Sequence, residues 1–228
     1  PEGLRRLLTS LCDLQFIKVS VPDWHLIVID NDQDGSAQPI IEEVSSSFPV
    51  PIKYSIEPKK GIATARNKAA KLAKGADFVA FIDDDEVADP NWLDELLYVQ
   101  GQYNADIVQG PVLSIFESDP PNWIMKGGFF SYPRRCTGTK LKYADTNNLL
   151  IKEKWLRAFD GPFDLRLSLS GGSDTLFSAK IFQKGARGFW ADDAVVCEYI
   201  PRRRMSASWI IRRKWRNGLS TAKIDCLL

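Results

Sequence analysis

The stretch Asp77-Phe-Val-Ala-Phe-Ile82, running straight into Asp83-Asp84-Asp85, decides how the rest of the chain is read. An apolar run of this length, bounded by a glycine and by acids, predicts a strand buried on both faces, as in parallel sheets. Working outward, His25-Leu-Ile-Val-Ile-Asp30 is a second such run, again ending in acid and followed by a polar loop. Pro51 to Ile56 predicts a third strand between them. Helical spacing fills the gaps: Leu4, Leu7, Leu8, Leu11 and Leu14 in 3–15, Ile40, Ile41 and Val44 in 36–48, and Ile62, Ala65, Ala69 and Leu72 in 61–74. Pro90 opens a helix with Trp92, Leu93, Leu96 and Leu97 inward. Strand and helix thus alternate over the first hundred residues. This predicts an α/β fold with a mostly parallel central sheet flanked by helices. Ligands of such sheets bind beyond the carboxyl ends of the strands, where Asp30 and Asp83–Asp85 fall.

Farther along, strands are expected over 105–116, 146–152 and 194–200, and helices over 172–183 and 205–219. The stretch 119–132, with two prolines and two glycines, reads as a loop carrying Trp123, Phe129 and Phe130. A chain of 228 residues fits one domain. It is expected to divide into three stretches, 1–115, 116–200 and a basic terminal helix over 201–228. The opening on Pro1-Glu2, without Met, suggests a piece of a longer protein.

Composition excludes several classes. The formal charge is +1, which is not that of a nucleic-acid binder. That total hides an asymmetry: 201–218 carries seven cations and no acid, so the remainder is −6. The four cysteines form no CxxC pair, which argues against structural zinc or a disulfide framework and for a reducing cytosol. His25 is the single histidine, so multi-histidine metal sites are excluded and a Ser-His-Asp triad is disfavoured. No apolar run reaches the length of a membrane span.

Three adjacent carboxylates repel one another, and a hard divalent cation would relieve them. A solvated loop capping the next helix is the plainer alternative. Asp83-x-Asp85 after an apolar strand also fits a phosphatase of the haloacid-dehalogenase type, with Asp192-Asp193 as a late acidic pair; two preceding strands argue against it. Gly171-Gly172-Ser173-Asp174 precedes a helix and reads either as an N-terminal cap or as the setting of a carboxylate general base. Arg66, on the helix after Gly61, reads as a surface charge or a phosphate ligand.

Six segments stand in a recognisable order: Ile29-Asp-Asn-Asp32, Gly61-Ile-Ala-Thr-Ala-Arg66-Asn67, Phe81-Ile-Asp-Asp-Asp-Glu86, Gln109-Gly-Pro-Val112, Thr146-Asn-Asn-Leu-Leu150 and Gly171-Gly-Ser-Asp-Thr175. Together they resemble bacterial family 2 glycosyltransferases over nearly the whole chain. The resemblance implies a GT-A fold and an inverting transfer of sugar from a nucleoside-diphosphate sugar, with a uridine diphosphate donor favoured. It implies that Asp30, Arg66, Asp83 and Asp84 hold the nucleotide. It also implies that Asp85, with Asp83, binds manganese or magnesium, and that Asp174 is the base. Ser173 stands where the family has Glu, and the family's first strand is absent from the sequence. Trp123, Asn147, Asn148 and Ser173 are candidates for a glycan or lipid-linked acceptor. A nucleotide- or glycan-holding module without turnover is the third alternative. For Arg202–Arg204 and the helix with Trp209, Ile210, Ile211 and Trp215, three readings stay open: diphosphate contact, an anionic membrane surface at the inner face of the cell membrane, or packed aromatics with solvated arginines.

Overall fold

The computed structural model describes residues 2–132 and 134–228. The first helix, α1 (Glu2–Cys12), buries Leu4, Leu7, Leu8 and Leu11, the face its spacing predicts. Then β1 (Leu26–Asp30), α2 (Gln38–Ser45) and β2 (Ile52–Ile56) form a parallel unit, with Leu26 opposite Ile52 and Asp30 opposite Ile56. Next come α3 (Ile62–Leu72), β3 (Phe78–Ile82), β4 (Glu86–Ala88) and α4 (Trp92–Tyr103). The second half holds β5 (Ile107–Gln109), β6 (Val112–Phe116), α5 (Asn122–Gly127), β7 (Asn148–Lys152) and α6 (Glu153–Leu156). It ends with α7 (Ser173–Gln183), β8 (Gly188–Trp190), β9 (Val196–Ile200) and α8 (Ala207–Asp225).

The strands group as β1-β2, β3-β7-β5-β8 and β4-β9-β6. The central sheet is mixed rather than mostly parallel: β7 runs antiparallel to both β3 and β5, while β8 is parallel to β5. The alternation that predicts parallel strands stops after α4, and β7 follows an irregular segment instead of a crossover helix. The expected strand 105–116 is two strands in two sheets. Pro111 has no N–H to continue a ladder, and a Cβ on Gly110 would lie 2.0 Å from the Ala194 carbonyl oxygen, so the backbones cross there in contact. The loop 119–132 contains α5.

Strand β3 is not buried on both faces. Ala80 is exposed and its neighbours are half-buried. Among the described residues β3 pairs with β7 alone and β1 with β2 alone, so each keeps one open edge. The largest core lies between α1, α2, α4 and the sheets, around Leu8, Leu96, Val99 and Val108. A second packs α3 and α7 on the central sheet through Ala63, Ile151, Phe163, Phe177 and Ile181. A smaller cluster of Ile124, Phe130, Ile200, Met205 and Ile210 seats the start of α8.

Candidate functional site

The site is built where β3 ends. Asp83 is the first residue past the strand, and Asp84 and Asp85 make the turn into β4. The Asp83 backbone N–H donates to Glu86 Oε2 at 3.0 Å, which fixes the turn from inside. Glu86 itself is buried, and burial pushes its carboxyl well above the usual range. The Asp83 carboxyl is pushed up to about 6, first by desolvation in its pocket, against the pull of Arg66, and then by Asp85, Asp174 and Asp84. It nevertheless keeps 41% of its side-chain surface open, so this is a crowded mouth and not a sealed interior.

Arg66 joins the two halves of the chain. It projects from α3, where only 11% of its side chain remains exposed, and its guanidinium lies 3.7 Å from Asp83 Oδ1 and 3.3 Å from Asp174 Oδ2. The Phe163 ring lies 5.9 Å from the guanidinium carbon. Asp174 sits in the first turn of α7, whose N-terminal dipole favours an anion. Its Oδ1 accepts from the Thr175 N–H at 2.9 Å and its Oδ2 from Thr146 Oγ1 at 3.3 Å. The positive φ of 85° and 88° at Gly171 and Gly172 brings this turn in; at Gly172 a Cβ would also meet Ile224 at 2.9 Å.

Asp85 meets the C-terminal segment. Its Oδ2 accepts from Arg204 at 3.1 Å, and Arg204 also pairs with Glu198 on β9. Among the described residues, no group of three or more His, Cys, Asp or Glu converges as a ready metal cage. Asp85 and Asp83 are nonetheless 44% and 41% exposed, in a surplus of negative charge. Two open carboxylates completed by substrate phosphates are what manganese or magnesium accepts, so the residues present fit such an ion.

Other candidates are placed differently. Asp30 is buried, and it accepts from the backbone of Asp32 at 3.0 Å and Ala37 at 2.8 Å and from Tyr54 Oη at 2.9 Å. These bonds shape the β1–α2 loop and leave little acceptor capacity. Burial, with Asp30 beside it, pushes Tyr54 up to about 12, so it stays a donor. Asn148 is no acceptor ligand. It is fully buried, with Nδ2 on the carbonyls of Pro111 and Ala194 and Oδ1 on the Trp92 indole at 2.8 Å. It serves as a polar rivet between three elements. Ser173 is also fully buried, with no partner for its hydroxyl, and cannot reach an acceptor either. In both cases the sequence reading took a polar side chain near the motif for an outward-facing one. Trp123 is 43% exposed on α5, edge-on to Phe129, and Asn147 is half-buried beside the cluster.

Asp145 escaped the sequence reading. It stands just before Thr146 and accepts from Thr175 Oγ1 at 3.5 Å; burial, then the nearby Asp174, push its carboxyl up to about 6. The only signal for it was one acid ahead of the 146–152 strand. Asp192, the late acid of the phosphatase reading, is engaged elsewhere: its Oδ1 accepts from Arg134 and from the Trp190 indole, and its backbone N–H donates to Thr137. His25 is exposed, as no triad would have it.

Residues 1–159 match the family model described as glycosyl transferase family 2. The chain belongs to that family. It is 31% identical over 199 residues to the succinoglycan biosynthesis protein ExoM of Rhizobium meliloti (strain 1021), covering 87% of this chain and 64% of ExoM. It is 34% identical over 121 residues to the pre-mycofactocin glycosyltransferase of Mycobacterium tuberculosis, covering 53% of this chain and 23% of that protein. The chain therefore spans less than two thirds of these relatives. Among solved structures, S. aureus TarS 1–349 in complex with UDP-GlcNAc superposes with a TM-score of 0.65 at 19% identity, over 88% of this chain and 55% of TarS. GalNAc-T7 with UDP, GalNAc and Mn2+ gives 0.59 at 13% identity, over 77% of this chain and 38% of that one. These likenesses establish the GT-A fold for the family 2 chain.

Proposed function

We propose that this family 2 domain is an inverting glycosyltransferase that moves a sugar from a uridine-diphosphate sugar to an acceptor hydroxyl, in the synthesis of a cell-surface polysaccharide or glycolipid. One observation carries the reading: Arg66 gathers Asp83, at a strand end in the first half, and Asp174, on a helix in the second, into one cluster. A helix cap and a solvated acidic loop have no reason to share an arginine. ExoM is a succinoglycan biosynthesis protein, and the TarS and GalNAc-T7 structures contain UDP-GlcNAc and UDP.

In this reading Asp83, Asp84, Arg66 and the Asp30 loop receive the nucleotide. A bound manganese or magnesium ion, held by Asp85 and Asp83, would supply Lewis-acid neutralisation of the diphosphate. The chain's own residues do the rest. Asp174 takes the proton of the acceptor hydroxyl, and Thr146 and the Thr175 N–H fix the direction of its carboxylate. The hydroxyl oxygen forms its bond to the anomeric carbon as the bond to the diphosphate breaks on the opposite face. One displacement inverts that centre. Trp123 and Asn147 remain the acceptor-side candidates; Trp123 offers an exposed ring for a sugar face.

Calorimetric titration of UDP with and without manganese tests the reading. Metal-dependent binding that Asp85→Ala abolishes supports it. Absence of UDP binding with metal present refutes the uridine donor.

A further inference from the structure

Helix α8 is two-faced in a way that its sequence alone does not settle. Ile210, Ser220 and Ile224 are buried against the domain, and Trp209 stacks on Phe130 with ring centroids 5.8 Å apart. Ile211, Trp215 and Leu219 instead stand 67%, 72% and 50% exposed. They recur every fourth residue, so they line one stripe, and that stripe faces away from the buried one. Arg212, Arg216 and Lys223 border it on one side and Lys214 on the other, and no acid occurs from 201 to 224. A tryptophan, two aliphatic residues and cationic flanks on the outer face of a surface helix are the composition of an interfacial helix.

We propose that α8 docks this domain on an anionic lipid surface, with Ile211, Trp215 and Leu219 entering the headgroup boundary and the flanking arginines and lysines over the lipid phosphates. Charge decides against a second copy of the chain as occupant. Two such stripes face to face would set cations against cations, whereas an anionic bilayer complements both flanks. No described helix is long and apolar enough to cross a membrane, so contact through α8 is peripheral.

The helix is also tied to the site at both ends. Just before it, Arg204 holds Asp85. Near its far end Ser220 Oγ donates to the Ser170 carbonyl at 2.9 Å, and Ile224 packs on Gly172, two residues before Asp174. Docking α8 therefore brings the acidic site to the lipid surface, where an acceptor carried on lipid would be met. That consequence rests on the proposed transfer reaction; the docking itself does not.

Cosedimentation of the protein with phosphatidylglycerol–phosphatidylcholine vesicles, at low and at high salt, tests it. Binding to the anionic vesicles is expected, falling with salt and nearly absent with pure phosphatidylcholine. Ile211→Glu/Trp215→Glu should cut partitioning by about tenfold or more, and Arg212→Ala/Arg216→Ala by about tenfold. These side chains are solvent-facing, so melting temperatures should stay near wild type. No binding at low salt overturns the proposal, as does binding that both variants retain. A dimer in sedimentation that Ile211→Glu/Trp215→Glu dissolves, without vesicle binding, would overturn it in favour of self-association.

Discussion

Replacing Arg66 by Met keeps an unbranched side chain on α3 but removes the guanidinium, and with it the cation that bridges Asp83 and Asp174 and the contact with the Phe163 ring. At an effective dielectric near 20, an ion pair at these distances is worth roughly 4 kcal/mol before desolvation. The Asp174 pair is the more protected, with side chains 11% and 16% exposed, whereas Asp83 is 41% exposed and well screened. Stranding a fully buried partner costs about 3–5 kcal/mol, and an exposed pair is worth about 0–1. Between these limits, Arg66→Met should destabilise the domain by about 2–3 kcal/mol at pH 8. The loss must depend on pH. Asp83 already titrates near 6, and without the pull of Arg66 it holds its proton more tightly still, so the folded variant takes up that proton as pH falls and escapes the repulsion. At pH 5 the loss should shrink to about 1 kcal/mol or less. Urea denaturation of both proteins at the two pH values measures this, with Arg66→Lys as an intermediate control. A loss equal at pH 5 and 8, or below about 0.5 kcal/mol at pH 8, would refute the bridging role.

Further outcomes follow from the same geometry. Asp174→Asn should lower the rate of sugar transfer by about 10²–10⁴-fold while leaving UDP affinity within a few-fold, as calorimetry beside a transfer assay would show; an unimpaired rate removes Asp174 as base. Metal-dependent UDP binding should weaken as pH falls through about 6, because protons compete for Asp83; a flat calorimetric profile from pH 5 to 8 would count against Asp83 as a ligand. Asn148→Ala should cost about 2–4 kcal/mol by leaving the Trp92 indole and the Pro111 and Ala194 carbonyls unpaired. Denaturation midpoints would show this, and an acceptor KM that rises with no loss of stability would restore Asn148 to the acceptor site.

How much of this was legible in the sequence varies with the physics involved. The α1 stripe, the β1–α2–β2 unit and the acids at strand ends rest on local periodicity and polarity, and the structure has them. The pairing of β7 between β3 and β5 was not legible, because strand direction depends on a long irregular connection. Nor was the splitting of 105–116, although Gly110-Pro111 marked the place. Within the site, the sequence reading assigned the charged residues by motif, and Arg66 does gather Asp83 and Asp174. It misjudged Asn148 and Ser173. A neutral polar side chain can turn inward when backbone carbonyls or a close helix receive it, and no one-dimensional pattern shows which. Asp145 was missed for a related reason: its weight comes from Thr175 and Asp174, some 30 residues away.

The near-neutral charge of the chain acquires a spatial meaning at Asp85. The sequence separates a −6 body from a +7 segment over 201–218, which by itself only predicts that the two attract. Among the described residues they meet through Arg204, which pairs with both Asp85 and Glu198. Among the described residues only Oδ2 of Asp85 is engaged, which leaves Oδ1 for an ion without breaking the pair. The basic segment thus bears on the acidic mouth from its rim, and its remaining cations, from Arg212 onward, are left for the outer face of α8. Arg204→Ala separates these roles: it frees Asp85 but leaves the outer stripe intact. If the two functions are distinct, this variant should alter metal-dependent UDP binding and leave vesicle binding within about twofold, since one interfacial charge of eight is worth little at that distance. A parallel loss of both would mean that Arg204 holds α8 in place, and that the position of the helix, not the charge, is what the site requires.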